Sequence, residues 1–213
     1  MGRWILAASI AAVAAAAHGA IPLEHFSREP SMRAPSLSPE GKRFVYISGD
    51  HEKPVVVVYD FEKRAAQGLM VGEAERMRVR WCGFKTEDRV LCSFGGSVRE
   101  MGARYYVSRL VAINVDGSGM KVLMQNDKDM SAQFQDQIMH WLPDDPDHVL
   151  VELDDNGDVF PGVFRLNVRT GKLRNVQLDR EPITDWVADR RGVVRFGYGE
   201  RSEEHTSELQ SPI

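Results

Sequence analysis

An all-β chain, folded as part of an open β-propeller, is what this sequence predicts, and three observations predict it. A hairpin unit comes round four times, over residues 37–47, 81–92, 141–151 and 186–196. Each copy is a strand ending in a large apolar residue (Leu37, Trp81, Trp141 or Trp186), a polar turn and a second β-rich strand. The copies start roughly 45 to 60 residues apart, the spacing of propeller blades. A second strand pair follows the first three copies, over residues 55–70, 110–124 and 163–176, and helical periodicity is almost absent.

Taken in order, the first four-stranded antiparallel blade spans about residues 34–71, the second 77–124 and the third 138–178. A fourth begins near Ile183 and stops after Tyr198, so about three and a half four-stranded blades are expected. Strand character is clearest where Phe164, Leu166 and Val168 alternate with Arg165, Asn167 and Arg169, a period of two. Asp116-Gly117 and Thr170-Gly171 supply turn residues that tolerate positive φ. The second blade carries the longest insertion, residues 95–104, between its second and third strands. The polar connector over 127–137 spaces Met130, Phe134 and Ile138 as one short helix would.

The two ends read differently from the middle. Arg3 followed by the alanine-rich apolar run from Trp4 to Ala17, with small residues at its exit, is the layout of a secretory signal peptide over residues 1–20. It predicts an exported protein, periplasmic or secreted, with no membrane association after cleavage. At the other end, residues 201–213 have neither apolar periodicity nor turn logic. Residues 201–211 resemble the translated read-through of a short-read sequencing adapter, so 201–213 is read as a non-native tail. Its His205 and the pair Glu203-Glu204 are given no role in acid/base or metal chemistry. The propeller expected over 21–200 is then incomplete.

The formal net charge of −4 argues against a nucleic-acid partner. Arg76, Arg78, Arg80, Arg89, Arg99 and Arg104 do cluster in sequence. Arg78 and Arg80, however, alternate with Met77, Val79 and Trp81 as the solvent face of a strand does, and the cluster is read as a solvated face. Export permits oxidation of the two cysteines, Cys82 and Cys92. A hairpin turn centred on Glu87 sets them opposite one another, and a shift of one residue separates them. A cross-strand disulfide and two buried thiols both remain open. A zinc site is not expected, since no histidine stands at ligand spacing from them.

No residue is assigned a catalytic, cofactor-binding or metal-ligating role, and no cofactor is expected. The G-x-S-x-G elbow that exposes a hydrolase serine is missing. Gly95-Gly96-Ser97 and Gly117-Ser118-Gly119 come nearest, and both read as hairpin loops. His25, His51, His140 and His148 lack the i, i+4 spacing of a helical zinc site; His140 and His148 flank blade strands and read as structural. The run Asp154, Asp155, Asn156, Gly157, Asp158 offers oxygen ligands at alternate positions. Its glycine falls at the fourth position rather than the sixth, and Arg165 occupies the twelfth, so it reads as the turn joining two strands of the third blade. Glu152 and these aspartates are left as candidates for a binding face.

Ser38, Pro39, Glu40, Gly41 and Lys42, followed by a β-run, resemble the S-P-D-G-K repeat of WD40-like propellers, with Glu40 in place of the usual Asp. The opening Ile21-Pro22-Leu23-Glu24-His25-Phe26 and the segments Trp141-Leu142-Pro143-Asp144-Asp145-Pro146 and residues 153–158 are similar to secreted bacterial peptidases of the prolyl oligopeptidase family, notably its dipeptidyl/acylaminoacyl-peptidase branch. The similarity covers residues 21–200, and TolB-like propellers share the same type of repeat. What the resemblance implies is a substrate-gating propeller whose partner is a C-terminal α/β-hydrolase domain with a Ser-Asp-His triad. That domain is absent from this chain, so peptide substrates would be reached only through it. The alternative is a non-enzymatic periplasmic propeller that binds protein partners. A propeller lactonase with metal ligands in its channel is a third, lesser reading.

Overall fold

The computed structural model describes residues 30–49, 53–74, 77–100, 102–124, 132–200 and 207–210. The expected signal peptide, His25, His51, Arg76, Met130 and Glu203 to His205 lie outside them. Every regular element described is a strand. The first sheet is β1 (Met32–Leu37), β2 (Arg43–Ser48), β3 (Val55–Asp60) and β4 (Ala65–Val71), hydrogen-bonded in chain order. The second is β5 (Glu73–Ala74), β6 (Met77–Thr86), β7 (Arg89–Glu100), β8 (Ala103–Asn114) and β9 (Lys121–Val122). The third is β10 (Ile138–His140), β11 (His148–Leu153), β12 (Gly162–Asn167) and β13 (Leu173–Gln177), and the fourth is β14 (Asp185–Ala188), β15 (Val194–Glu200) and β16 (Ser207–Gln210). All ladders are antiparallel meanders, and neighbouring sheets lie side by side where β1 meets β6 and where β10 meets β14. This is an open, partial β-propeller.

Period-two alternation sorts each strand between two neighbours. On β7, Val90, Cys92 and Phe94 face the first blade and pack with Val45, Ile47, Val56 and Val58. Leu91, one residue out of phase, joins Leu110 and Ala112 in the layer shared with Val149, Val151 and Leu166 of the third blade. The third blade repeats the device: Leu150 and Val163 turn the other way, onto Ile183, Trp186 and Val194 of the fourth. Strands apolar on both sides are what sheets covered on both faces require. Burying one such Val, Leu or Ile contributes roughly 1.5–3 kcal/mol, so these layers supply most of the cohesion between blades.

Polar side chains then lock each junction by bonding to a neighbour's backbone. Arg43 Nη1 donates to the Glu87 carbonyl at 3.0 Å, between blades one and two. Lys85, buried, donates from Nζ to the carbonyls of Trp141 and Leu142 (2.8 Å to the latter), between blades two and three. Arg89 joins the same junction, bonding the Val168 carbonyl at 3.0 Å while its other nitrogen bonds Asn114 Oδ1 and the Gly119 carbonyl at 2.8 Å. At the last junction the Trp186 amide donates to Glu152 Oε1 at 2.6 Å and its indole Nε1 to the Pro161 carbonyl at 2.7 Å.

Several expectations need correction. Residues 95–100 and 103–104 are strand rather than insertion: β7 and β8 lengthen to 12 residues each, with Gly95 to Ser97 paired mid-strand opposite Tyr106 to Ser108. A Cβ at Gly95 would meet the Tyr106 hydroxyl and lie 2.6 Å from Arg80 Cδ, so a larger residue there would push both side chains aside. Gly117 and Gly119 do sit in a turn, with φ of 85° and 61°. The helix expected around Phe134 is not formed. Residues 132–137 run extended beside β8, where the Ser108 amide donates to the Gln133 carbonyl at 3.0 Å, and that bonding excludes the helical one. Arg78 and Arg80 are exposed as expected, but Arg89 is 3% exposed and belongs to the interior. Finally, Ser207–Gln210, inside a segment expected to lack strand character, pairs with Gly197 to Glu200. Backbone pairing at an open sheet edge needs no particular side chain.

Candidate functional site

The two cysteines form a disulfide, Cys82 opposite Cys92, with Cα atoms 4.1 Å apart. The pairing in this stretch is centred on Glu87, the register that brings them together. The bridge lies in the apolar layer between the first two blades and is buried, so its role is to hold the β6–β7 hairpin.

One buried polar centre stands between blades two and three. Asp136, 7% exposed, accepts from Ser93 Oγ at 2.5 Å, from Ser108 Oγ, and from Arg80 Nη1 at 3.0 Å. Ser93 and Ser108 both lie on the blade-three face of their strands, two polar residues in an apolar pattern, and this was the only sequence signal for the centre. Arg80 in turn lies 5.9 Å from the centre of the Tyr106 ring. The carboxylate is engaged by three donors and pins the extended connector to β7 and β8. Among the described residues no serine hydroxyl bonds a histidine. His140 Nδ1 accepts from the Leu142 amide at 3.0 Å, and His148 lies between Asp145 and Asn167.

The aspartate run of the β11–β12 turn folds onto its own backbone. Asp154 accepts from the amides of Gly157 (2.7 Å) and Val159 (3.1 Å), and Asp158 from that of Phe160 (2.9 Å). Gly157 has φ of 81°, the left-handed conformation that the turn demands. Partial burial pushes the Asp155 carboxyl above its ordinary value, with Asp179, Asp154 and Asp158 adding to the shift. Glu152 points away from this turn into the junction with the fourth blade, where burial raises its carboxyl despite the Trp186 amide. It therefore belongs to no face shared with the aspartates.

A cleft of about 290 Å³ lies between the third and fourth blades. Arg165 from β12, Arg174 from β13, and Arg190 and Arg191 from the β14–β15 turn line it, together with Asp144 and Asp145. Leu150, Val176 and Val193 give it apolar walls. Asp145 is already occupied: Arg165 Nη2, His148 Nδ1 (3.0 Å) and the Asp147 amide (3.0 Å) converge on it. Burial alone would raise its carboxyl, but these donors hold it well below the ordinary carboxylate range. Asp189, beside the cleft, is taken up by Arg195 and held at about 2, first by that bond and then by the Val193 amide.

No protein-family model matches the chain, and no curated protein matches it in sequence. Solved structures do match. An oligogalacturonate lyase from Vibrio parahaemolyticus superposes with a TM-score of 0.55 at 11% identity, over 87% of this chain and 56% of that one. An acylaminoacyl peptidase from Pyrococcus horikoshii gives 0.51 at 11% identity, over 85% of this chain and 30% of that one. TolB from Acinetobacter baumannii gives 0.44 at 12% identity, over 85% and 43%. The chain thus spans between about a third and just over half of the length of these proteins. At such identities the likeness is one of fold.

Proposed function

We propose that this chain is the substrate-gating propeller of an exported serine peptidase of the prolyl oligopeptidase family, the hydrolytic residues residing in an α/β-hydrolase domain encoded beyond it. Blades set side by side about an axis carry this reading. Once further blades close it, such an arrangement forms a ring that would admit a peptide in extended form and exclude a folded domain on size. The turn from Ser38 to Lys42 supports it: Gly41 takes φ of 69° and Ser38 Oγ accepts from the Arg43 amide at 3.1 Å, the tight turn that the S-P-E-G-K sequence resembles. The shared fold with an acylaminoacyl peptidase, 30% of whose length it covers, is compatible with a propeller portion of a larger enzyme. Residues 1–20 then act as the export signal, and residues 201–213 are not native.

The test is the uninterrupted genomic reading frame. A G-x-S-x-G elbow a few hundred codons downstream is the expected result, and a stop codon near residue 200 would defeat the proposal. A second reading, a non-enzymatic periplasmic propeller that binds proteins, fits the described residues equally. Among the described residues the polar centres at Asp136 and Asp145 are both spent on holding the fold. That reading expects the frame to close the ring and end.

A further inference from the structure

We infer that the cleft between the third and fourth blades is a binding site for a carboxylate ligand with an apolar body. Three features of the cleft combine. Arg165 and Arg174 are direct cross-strand partners, and like charges in that relation destabilise a sheet unless something neutralises them. Asp145 neutralises Arg165, and its remaining oxygen valence goes to His148 and the Asp147 amide. Among the described residues Arg174 has no carboxylate partner. The β14–β15 turn then brings two more guanidinium groups, Arg190 and Arg191, to the same cleft, and Asp189, the acid of their own turn, is held by Arg195 instead.

Among the described residues none of Arg174, Arg190 and Arg191 forms an ion pair. Against these three unpaired guanidinium groups the cleft sets one carboxylate without an ion pair among the described residues, Asp144, so it carries net positive charge on a chain whose net charge is −4. Guanidinium groups offer paired donors that match the two oxygens of a carboxylate. The walls formed by Leu150, Val176 and Val193 suit an aliphatic or aromatic body rather than a bare inorganic ion. A volume of about 290 Å³ holds one or two amino-acid residues or an acid of that size. The carboxylate is either a free small acid or a peptide C-terminus. The site does not depend on the peptidase reading.

Calorimetric titration of the 213-residue chain separates the outcomes. N-acetyl-leucine should bind with a dissociation constant on the order of 1 mM, while its amide and inorganic phosphate should bind at least about tenfold more weakly. N-acetyl-Leu-Leu binding tighter than N-acetyl-leucine points to the peptide terminus, and equal affinity points to the free acid. Arg174→Ala and the double substitution Arg190→Ala/Arg191→Ala should each weaken the acid about tenfold. Arg174→Ala should also leave the thermal midpoint unchanged or raise it, because it removes a like-charge pair. Equal binding of acid and amide, or unchanged affinity in both variants at an unchanged midpoint, overturns the site.

Discussion

The layer between the second and third blades and the far face of the first blade are both rich in large side chains, aliphatic in the one and aromatic in the other, yet they end in opposite states. In the interior layer Leu91, Leu110, Val149 and Leu166 are fully covered, and Lys85 and Arg89 stitch the sheets through backbone carbonyls. On the first blade, Val45, Ile47, Val56 and Val58 are buried against blade two, whereas Phe44, Tyr46, Tyr59 and Phe61 point the other way. Those four rings pack on one another with centroids 5.2–5.5 Å apart, Phe44 stacked on Tyr46 and Tyr59 edge-on to Phe61, and Phe61 remains 47% exposed. The lesson is that alternation with apolar residues in both phases writes an interior sheet, and that a neighbour must still arrive to make it one.

The comparison is broken most sharply by truncation in the covered layer. Leu166→Ala should cost about 2–5 kcal/mol in guanidinium unfolding, because a cavity opens between two sheets that cannot collapse onto it. A loss below about 1 kcal/mol would mean that the layer is not packed as described. Next in size is the disulfide. Replacing Cys82 and Cys92 together by Ala should lower stability by about 2–3 kcal/mol, the value for a short closed loop, as read from the same unfolding curves.

The junction between blades three and four adds a pH dependence. Burial raises the Glu152 carboxyl above its ordinary value of 4.5, so the folded chain holds that proton more tightly than the unfolded chain does. Its contribution is fully present below that value and is lost as pH rises through the higher folded value. Glu152→Gln keeps an acceptor for the Trp186 amide and should flatten this part of the stability profile; a profile identical to the parent's counts against the buried carboxyl. The smallest effect belongs to the open face. Phe61→Ala should change unfolding free energy by less than about 1 kcal/mol, whereas Tyr59→Lys with Phe61→Lys should raise the soluble fraction in sedimentation. No gain in solubility would show that the aromatic face is not what associates.

Much of this was readable before any coordinates. The turn residues, the four hairpins and the blade limits follow from period-two patterning, and the β12 alternation of Phe164 and Leu166 with Arg165 and Asn167 is reproduced in burial. The polar stitching was not readable. Arg89 and Lys85 look like solvent residues in a strand, because their partners are main-chain carbonyls of another blade, which leave no mark on side-chain identity. Asp136 was hidden for a related reason: its connector carries a helical spacing that hydrogen bonding to β8 overrides.

By itself, then, the sequence determined that this chain is all strand, where it turns, and which residues point to opposite sides of each sheet, since side-chain direction alternates locally along an extended backbone. Only the tertiary structure decided which sides were covered, that Cys82 meets Cys92, and that Arg174, Arg190 and Arg191 converge on one cleft. Those outcomes depend on register and on the stacking of blades far apart in the chain. Local periodicity carries no information about either.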